Sequence, residues 1–322
     1  MRTILNVLAL GLFVALPLAG CDGGDSSSGT AGHAGHGGHG GHGGTGGSAG
    51  STGGQGGTGG AQMKVVNIEF EARVGDMAFD CANEYTGLGS TAVDAKITDF
   101  RVYVHDIALL VGGKSVPVAL DQDGIWQLEN LALLDFESGS GSCSNGTAEL
   151  HTTIAGSVSE ADLGGATPDG ITFKVGVPFE LNHNDVATAP SPLNLTALFW
   201  NWNGGYKFMR VDSLPAGAPM AFNLHLGSTG CQDDGNGGVS SCSKPNRPEI
   251  ELTGKDPLST KIVVDYAAIV ATTDLSQDQG GAPGCMSGPT DPECTTTFEK
   301  LGLDLATGAP AAGQETFRWV AP

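Results

Sequence analysis

The chain has 322 residues, a formal net charge of −20, 52 glycines, 16 prolines and seven cysteines. So acidic a surface repels nucleic acid and anionic headgroups, and neither is an expected partner. No P-loop, G-x-S-x-G elbow, H-E-x-x-H pair or strand-to-helix G-x-G-x-x-G is present, so the chain is not expected to be an enzyme.

Residues 1–20 read as a lipoprotein signal peptide. Arg2 supplies the positive start, an apolar run covers 4–18, and Leu18-Ala19-Gly20-Cys21 matches a lipobox. The run is too short to span a bilayer as a helix. Cys21 is therefore the expected lipidation site, with the acyl chains anchoring the protein to a membrane in the cell envelope of a Gram-negative bacterium. The alternative is an ordinary secreted protein with an unpaired Cys21.

Residues 21–62 are Gly, Ser, Thr and Ala with almost nothing apolar to bury, which reads as a disordered tether. A Gly-rich coil of that length reaches roughly 35 Å. His33, His36, His39 and His42 recur every third residue within it. They are either a weak, unselective metal tract or repeat drift in a low-complexity linker.

From 63 to 322 the apolar period is mostly two. Val65, Ile68 and Phe70 open a first strand, and further strands are predicted over 96–111, 115–119, 125–128, 148–156, 171–177, 195–202, 206–211, 221–226, 249–252, 260–266 and 316–320. Only short helical patches are expected, such as 266–270. Turns rich in Gly, Asn, Asp and Pro separate the strands. This pattern predicts an all-β fold, an antiparallel β-sandwich or barrel-like domain with long disulfide-stapled loops. Asp121-Gln122-Asp123-Gly124 resembles the start of a calcium loop, but Ala132 stands where the closing acid belongs, so a turn is predicted. The acidic stretch 233–237 likewise reads as a flexible loop.

Setting Cys21 aside leaves six cysteines, an even number that in an exported domain implies disulfides rather than thiolate ligands. Six cysteines allow fifteen pairings. Proximity suggests Cys231–Cys242 and Cys285–Cys294, and Cys81–Cys143 remains by elimination.

The densest aromatic stretch is 198–231. Trp200 and Trp202 sit two apart, so on a strand they share a face. Gly204-Gly205 marks a turn and the chain is expected to return over 206–211. The globular part holds four histidines, His105, His151, His183 and His225, and two of these flank the Trp-x-Trp hairpin. Paired aromatics on a strand usually pack a core. Imidazoles on both sides make a transition-metal site the competing reading, and copper suits imidazole with soft donors.

Four ordered motifs carry a resemblance: G-V-P-x-x-L-N-H over 176–183, S-P-L-N-L over 191–195, F-W-N-W-x-x-G-Y-K-F over 199–208, and H-L-G-S-T-x-C over 225–231. Together they resemble the MbnP-like copper-binding lipoproteins, also called metallo-mystery pair, four-Cys-motif proteins, over most of 63–296. The resemblance implies a Cu(I) protein of copper homeostasis and a partner, an MbnH-like di-haem protein of the cytochrome c peroxidase family. It implies that the first Trp of the motif, Trp200, is oxidised to kynurenine beside Trp202. His183 and His225 fall on motif positions and are the expected imidazole ligands, with His105 as a further candidate. Two other readings stay open: a non-metal binding module, for instance a carbohydrate platform on Trp200 and Trp202, and a purely structural surface lipoprotein.

Overall fold

The computed structural model describes residues 62–321; the signal peptide, Cys21, and the linker with its four histidines lie outside the described residues. Two sheets dominate. The first runs Phe317–Trp319, Ile262–Asp265, Met63–Val74, Thr153–Ser159, Ala119–Leu120. The second runs Glu249–Thr253, Gly170–Val175, Val93–Val111, Met209–Pro215, Phe222–Leu226, Gly284–Cys285. They pack as a sandwich, with Phe70 of the first against Phe173 of the second at 5.7 Å between ring centroids, and Phe173 edge-on to Phe317 at 5.3 Å. Such edge-to-face pairs contribute ~1 kcal/mol beyond the area they bury.

The axis of the second sheet is the single 19-residue strand Val93–Val111. Its run of β-branched and aromatic residues favours the extended chain. Asp106 sits at φ +52°, and the partner strand shifts register between Thr172 and Lys174. The first half of the strand pairs with Met209–Pro215, and the second half, across this bulge, pairs with Gly170–Val175. Both faces are buried. Alternation gives Phe100, Val102 and Val104 to one face and Asp99, Arg101, Tyr103 and His105 to the other.

The polar face is closed by the segment 178–198. Tyr103 donates its hydroxyl to Pro192 O (2.7 Å), Tyr206 donates to Leu193 O (2.5 Å), and Arg210 reaches Ala197 O (3.0 Å). That cover carries His183, and the face beneath it carries His225.

Several elements depart from the expected pattern. Two pairs are parallel, Met63–Val74 with Ile262–Asp265 and Phe222–Leu226 with Gly284–Cys285. Long crossovers permit this, whereas tight hairpins force antiparallel pairing. The strand expected over 148–156 is observed as Thr153–Ser159. Leu131–Asp135 is a buried strand paired to the long axis, and its unbroken apolar run lacks the alternation that reveals a half-buried strand. The hairpin Thr229–Asp233 with Val239–Lys244 is too polar to show as strands. The ten-residue helix Pro292–Leu301 begins at an Asp291 cap with Pro at its first position and ends at Gly302, φ +71°. Those signals stand in the sequence, but the helix's own apolar residues are too few to announce it. The loop 121–124 is a turn, as expected: Asp123 Oδ1 accepts from the amides of Ile125, Trp126 and Gln127. No described helix is long and apolar enough to cross a membrane.

Candidate metal centre

The Trp-x-Trp segment forms a shorter hairpin than expected. A 3-10 turn, Thr196–Leu198, leads into the short strand Phe199–Asn201, which pairs with Gly205–Tyr206. The returning strand then starts afresh at Met209. Trp202 therefore lies in the turn, off the strand that carries Trp200, and is 44% exposed. Strand alternation therefore does not set the two indoles on one face, as the expected hairpin would have done. The turn is this tight because Gly205, at φ +76°, lies against Asn182: a Cβ there would sit 2.4 Å from Asn182 O. Asn182 Oδ1 accepts from the Tyr206 amide (3.0 Å), which ties the turn to the residue before His183.

Trp200 is half-buried. Its ring lies flush on Gly227, where a Cβ would come within 2.5 Å of Cζ3. Gly227 follows directly on the end of the strand Phe222–Leu226 that carries His225, so the indole rests two residues along the chain from that histidine. Trp202 contributes its backbone. His183 Nδ1 lies 3.0 Å from Trp202 O, so this nitrogen carries the proton and donates it to the carbonyl. The lone pair is then on Nε2, 3.1 Å from Asn182 Nδ2 and 3.4 Å from Cys242 Sγ.

His225 is wired the same way by a different acceptor. It is 6% exposed and stands opposite Arg210 in the ladder. Its Nε2 donates to Asp212 Oδ1 at 2.7 Å, and Nδ1 is buried with no hydrogen-bond partner. Burial raises the Asp212 carboxyl, but His225 and Arg210 outweigh it and hold the group below its ordinary range. Burial lowers His225, and Asp212 offsets only part of this, so the ring is neutral at neutral pH. A neutral imidazole with one N–H fixed by a carboxylate and the other nitrogen free is a metal-ligand arrangement.

His105 is 4% exposed, and burial drives its pKa to about 4. Nδ1 is 3.2 Å from Asp106 Oδ2 without hydrogen-bond geometry, and neither ring nitrogen has a hydrogen-bond partner. The positive charge of Arg247 adds a smaller downward push on both His105 and His183. His183 is lowered by burial first, with the Trp202 carbonyl opposing. His151 is set apart: it stacks on Trp126 at 5.4 Å, and Nδ1 lies 2.6 Å from Leu133 O.

The structure thus sets Trp200 on Gly227, two residues from His225, ties Trp202 to His183, and joins both through the turn 199–206. The two histidines share no hydrogen-bond partner. All three disulfides are those expected, Cys81–Cys143, Cys231–Cys242 and Cys285–Cys294. One association had no signal in the sequence: among the described residues, His183 with Cys231 and Cys242 groups its potential donor atoms within 4.8 Å of one another. Sequence spacing cannot show it, because His183 and Cys242 are 59 residues apart.

The family model for MbnP matches residues 63–287. The solved structure of MbnP from Methylosinus trichosporium is similar at 29% identity and a TM-score of 0.72, covering 80% of this chain and 98% of that one. No curated protein sequence matches. With more than half of its length matched, the chain belongs to the MbnP family.

Proposed function

We propose that this protein binds Cu(I) in the bacterial cell envelope, through the imidazoles of His183 and His225 and a kynurenine formed from Trp200. The observation that carries the reading is the buried, unpartnered Nδ1 of His225, made a lone-pair donor because Asp212 holds Nε2–H. An unsatisfied buried nitrogen costs ~1–3 kcal/mol, which a ligand at that atom removes. In His183 the Trp202 carbonyl likewise fixes the tautomer and leaves the lone pair on Nε2, which accepts from Asn182 Nδ2 until a ligand replaces it. His105, with two unpartnered nitrogens, is available as a third imidazole. Neutral imidazoles suit Cu(I).

Indole has no free lone pair to offer, whereas the aniline nitrogen and ketone of kynurenine do. Half-burial of Trp200 and exposure of Trp202 leave the turn open to an oxidising partner, an MbnH-like di-haem protein. Cys21 would anchor the domain by its lipid, and the protein serves copper homeostasis rather than catalysis. The test is co-expression with the di-haem partner, peptide mass analysis at Trp200, and Cu(I) titration against a competing chelator. The expected result is a kynurenine mass on the Trp200 peptide and a tight site lost in His225→Gln. Equal copper affinity in His225→Gln would overturn the assignment.

A further inference from the structure

We infer that Cys231 and Cys242, once reduced, join His183 in a separate thiolate site for Cu(I), so that the disulfide acts as a redox gate. Cys231 and Cys242 face each other as register partners on a two-stranded hairpin that belongs to neither main sheet. Both are half-exposed, whereas Cys81, Cys143, Cys285 and Cys294 are 3% exposed or less. A soluble reductant therefore reaches this cystine and not the other two. The remaining ladder pairs, Thr229 with Lys244 and Gln232 with Ser241, hold the sulfurs opposite each other after the bond is cut.

His183 completes the donor set. Its Nε2 lies 3.4 Å from Cys242 Sγ, and the Trp202 carbonyl keeps the proton on Nδ1, so the lone pair is on Nε2, where Cu(I) would displace the Asn182 Nδ2–H that sits 3.1 Å away. Two thiolates and one neutral imidazole are a soft set that favours Cu(I) over harder ions.

The chemistry balances with a dithiol as reductant. The disulfide takes two electrons and two protons, giving two thiols, while the dithiol becomes its own disulfide. Cu(I) then displaces both thiol protons and binds two thiolates and Nε2, a site of net charge −1. This site shares His183 with the one proposed above but needs neither Trp200 nor His225.

The test begins with the oxidised, folded protein, titrated anaerobically with dithiothreitol, desalted, alkylated and mapped. Labelling of Cys231 and Cys242 before any other cysteine is expected. Unalkylated reduced protein is then given Cu(I) from its bathocuproine disulfonate complex, in a His225→Gln background that removes the other site. A Cu(I)–thiolate charge-transfer band should appear on reduction, be absent from the oxidised protein and from Cys231→Ser, and weaken at least tenfold in affinity in His183→Ala. Simultaneous labelling of all six cysteines, or a reduced protein without the band, overturns the proposal. Copper binding by the oxidised wild-type protein is read separately, so failure of the imidazole–kynurenine site is distinguishable.

Discussion

His225 donates from Nε2 to Asp212 Oδ1 at 2.7 Å, and this bond decides which nitrogen of the ring is free. Asp212 is itself held by Arg210, whose Nη2 lies 2.6 Å from Oδ2. Asp212→Asn keeps the shape but removes the charge, so the ring loses its fixed tautomer. Carboxylates that orient a ligating histidine are worth ~10–100-fold in metal affinity. We expect a loss in that range by chelator competition, together with a lower melting temperature, because Arg210 loses one of its two carboxylate partners and keeps Asp99 at 3.2 Å. Unchanged copper affinity in a folded Asp212→Asn protein would show that His225 does not ligate through Nδ1.

Gly227 carries no φ strain, yet it cannot accept a side chain. A Cβ would lie 2.5 Å from Trp200 Cζ3 and 2.8 Å from Tyr206 O. The indole can swing away, but the backbone oxygen cannot. Gly227→Ala should therefore displace Trp200 and cost ~1–3 kcal/mol. Chemical denaturation reports the cost and tryptophan fluorescence the displacement. Kynurenine formation on co-expression should fall with it. Wild-type stability and an unshifted emission spectrum would show that the ring does not rest on this glycine.

The candidate ligand histidines were legible as residue types but not as atoms. Their motif positions stand in the sequence; the acceptor that fixes each tautomer, Asp212 for one and the Trp202 carbonyl for the other, is set by strand register and by a turn. The Trp-x-Trp reading failed for a related reason. Period two predicts a shared face only while the chain stays extended, and Gly205 packed on Asn182 ends the strand at Asn201. The cystines were legible from spacing because two of them close loops of 11 and 9 residues. The approach of His183 to Cys242 was not, since it depends on the cover 178–198 folding back over the sheet.

Beneath that cover Asp135 is 2% exposed and its pKa is pushed up to about 7, by burial first, with Arg101 opposing and Glu137 and Asp99 adding to the rise. The folded carboxyl thus binds its proton more tightly than the unfolded one. Between the unfolded value near 3.8 and about 7 the native state holds more protons, so this group's contribution to stability is lost as pH rises through that window. Asp135→Asn removes the titration. Relative to wild type, the variant should gain on the order of 3 kcal/mol in stability from pH 4 to pH 7 and no more above it. Urea melts across that range check the slope. A constant difference between the two proteins would show that Asp135 ionises normally in the fold.

Trp200 and Trp202 are predicted to part company on mutation, because one ring is packed and the other offers its backbone. Trp200→Phe removes the indole lying on Gly227 and the precursor of the kynurenine donor. A phenyl ring still fills part of that space, so the domain should fold, at a cost of ~1 kcal/mol. Co-expression with the di-haem partner should then yield no kynurenine, and the tight Cu(I) site should be lost. In Trp202→Phe the exposed ring shrinks, but the carbonyl that orients His183 at 3.0 Å is unaffected. A surface change of this kind moves stability by less than about 0.5 kcal/mol. Copper affinity of the matured protein should stay within a few-fold of wild type, while the rate of kynurenine formation falls if an electron hole passes through this ring. Peptide mass spectrometry and chelator competition on the same preparations separate the outcomes. Kynurenine found at position 202, or full copper affinity in Trp200→Phe, would move the modified residue from the packed ring to the exposed one.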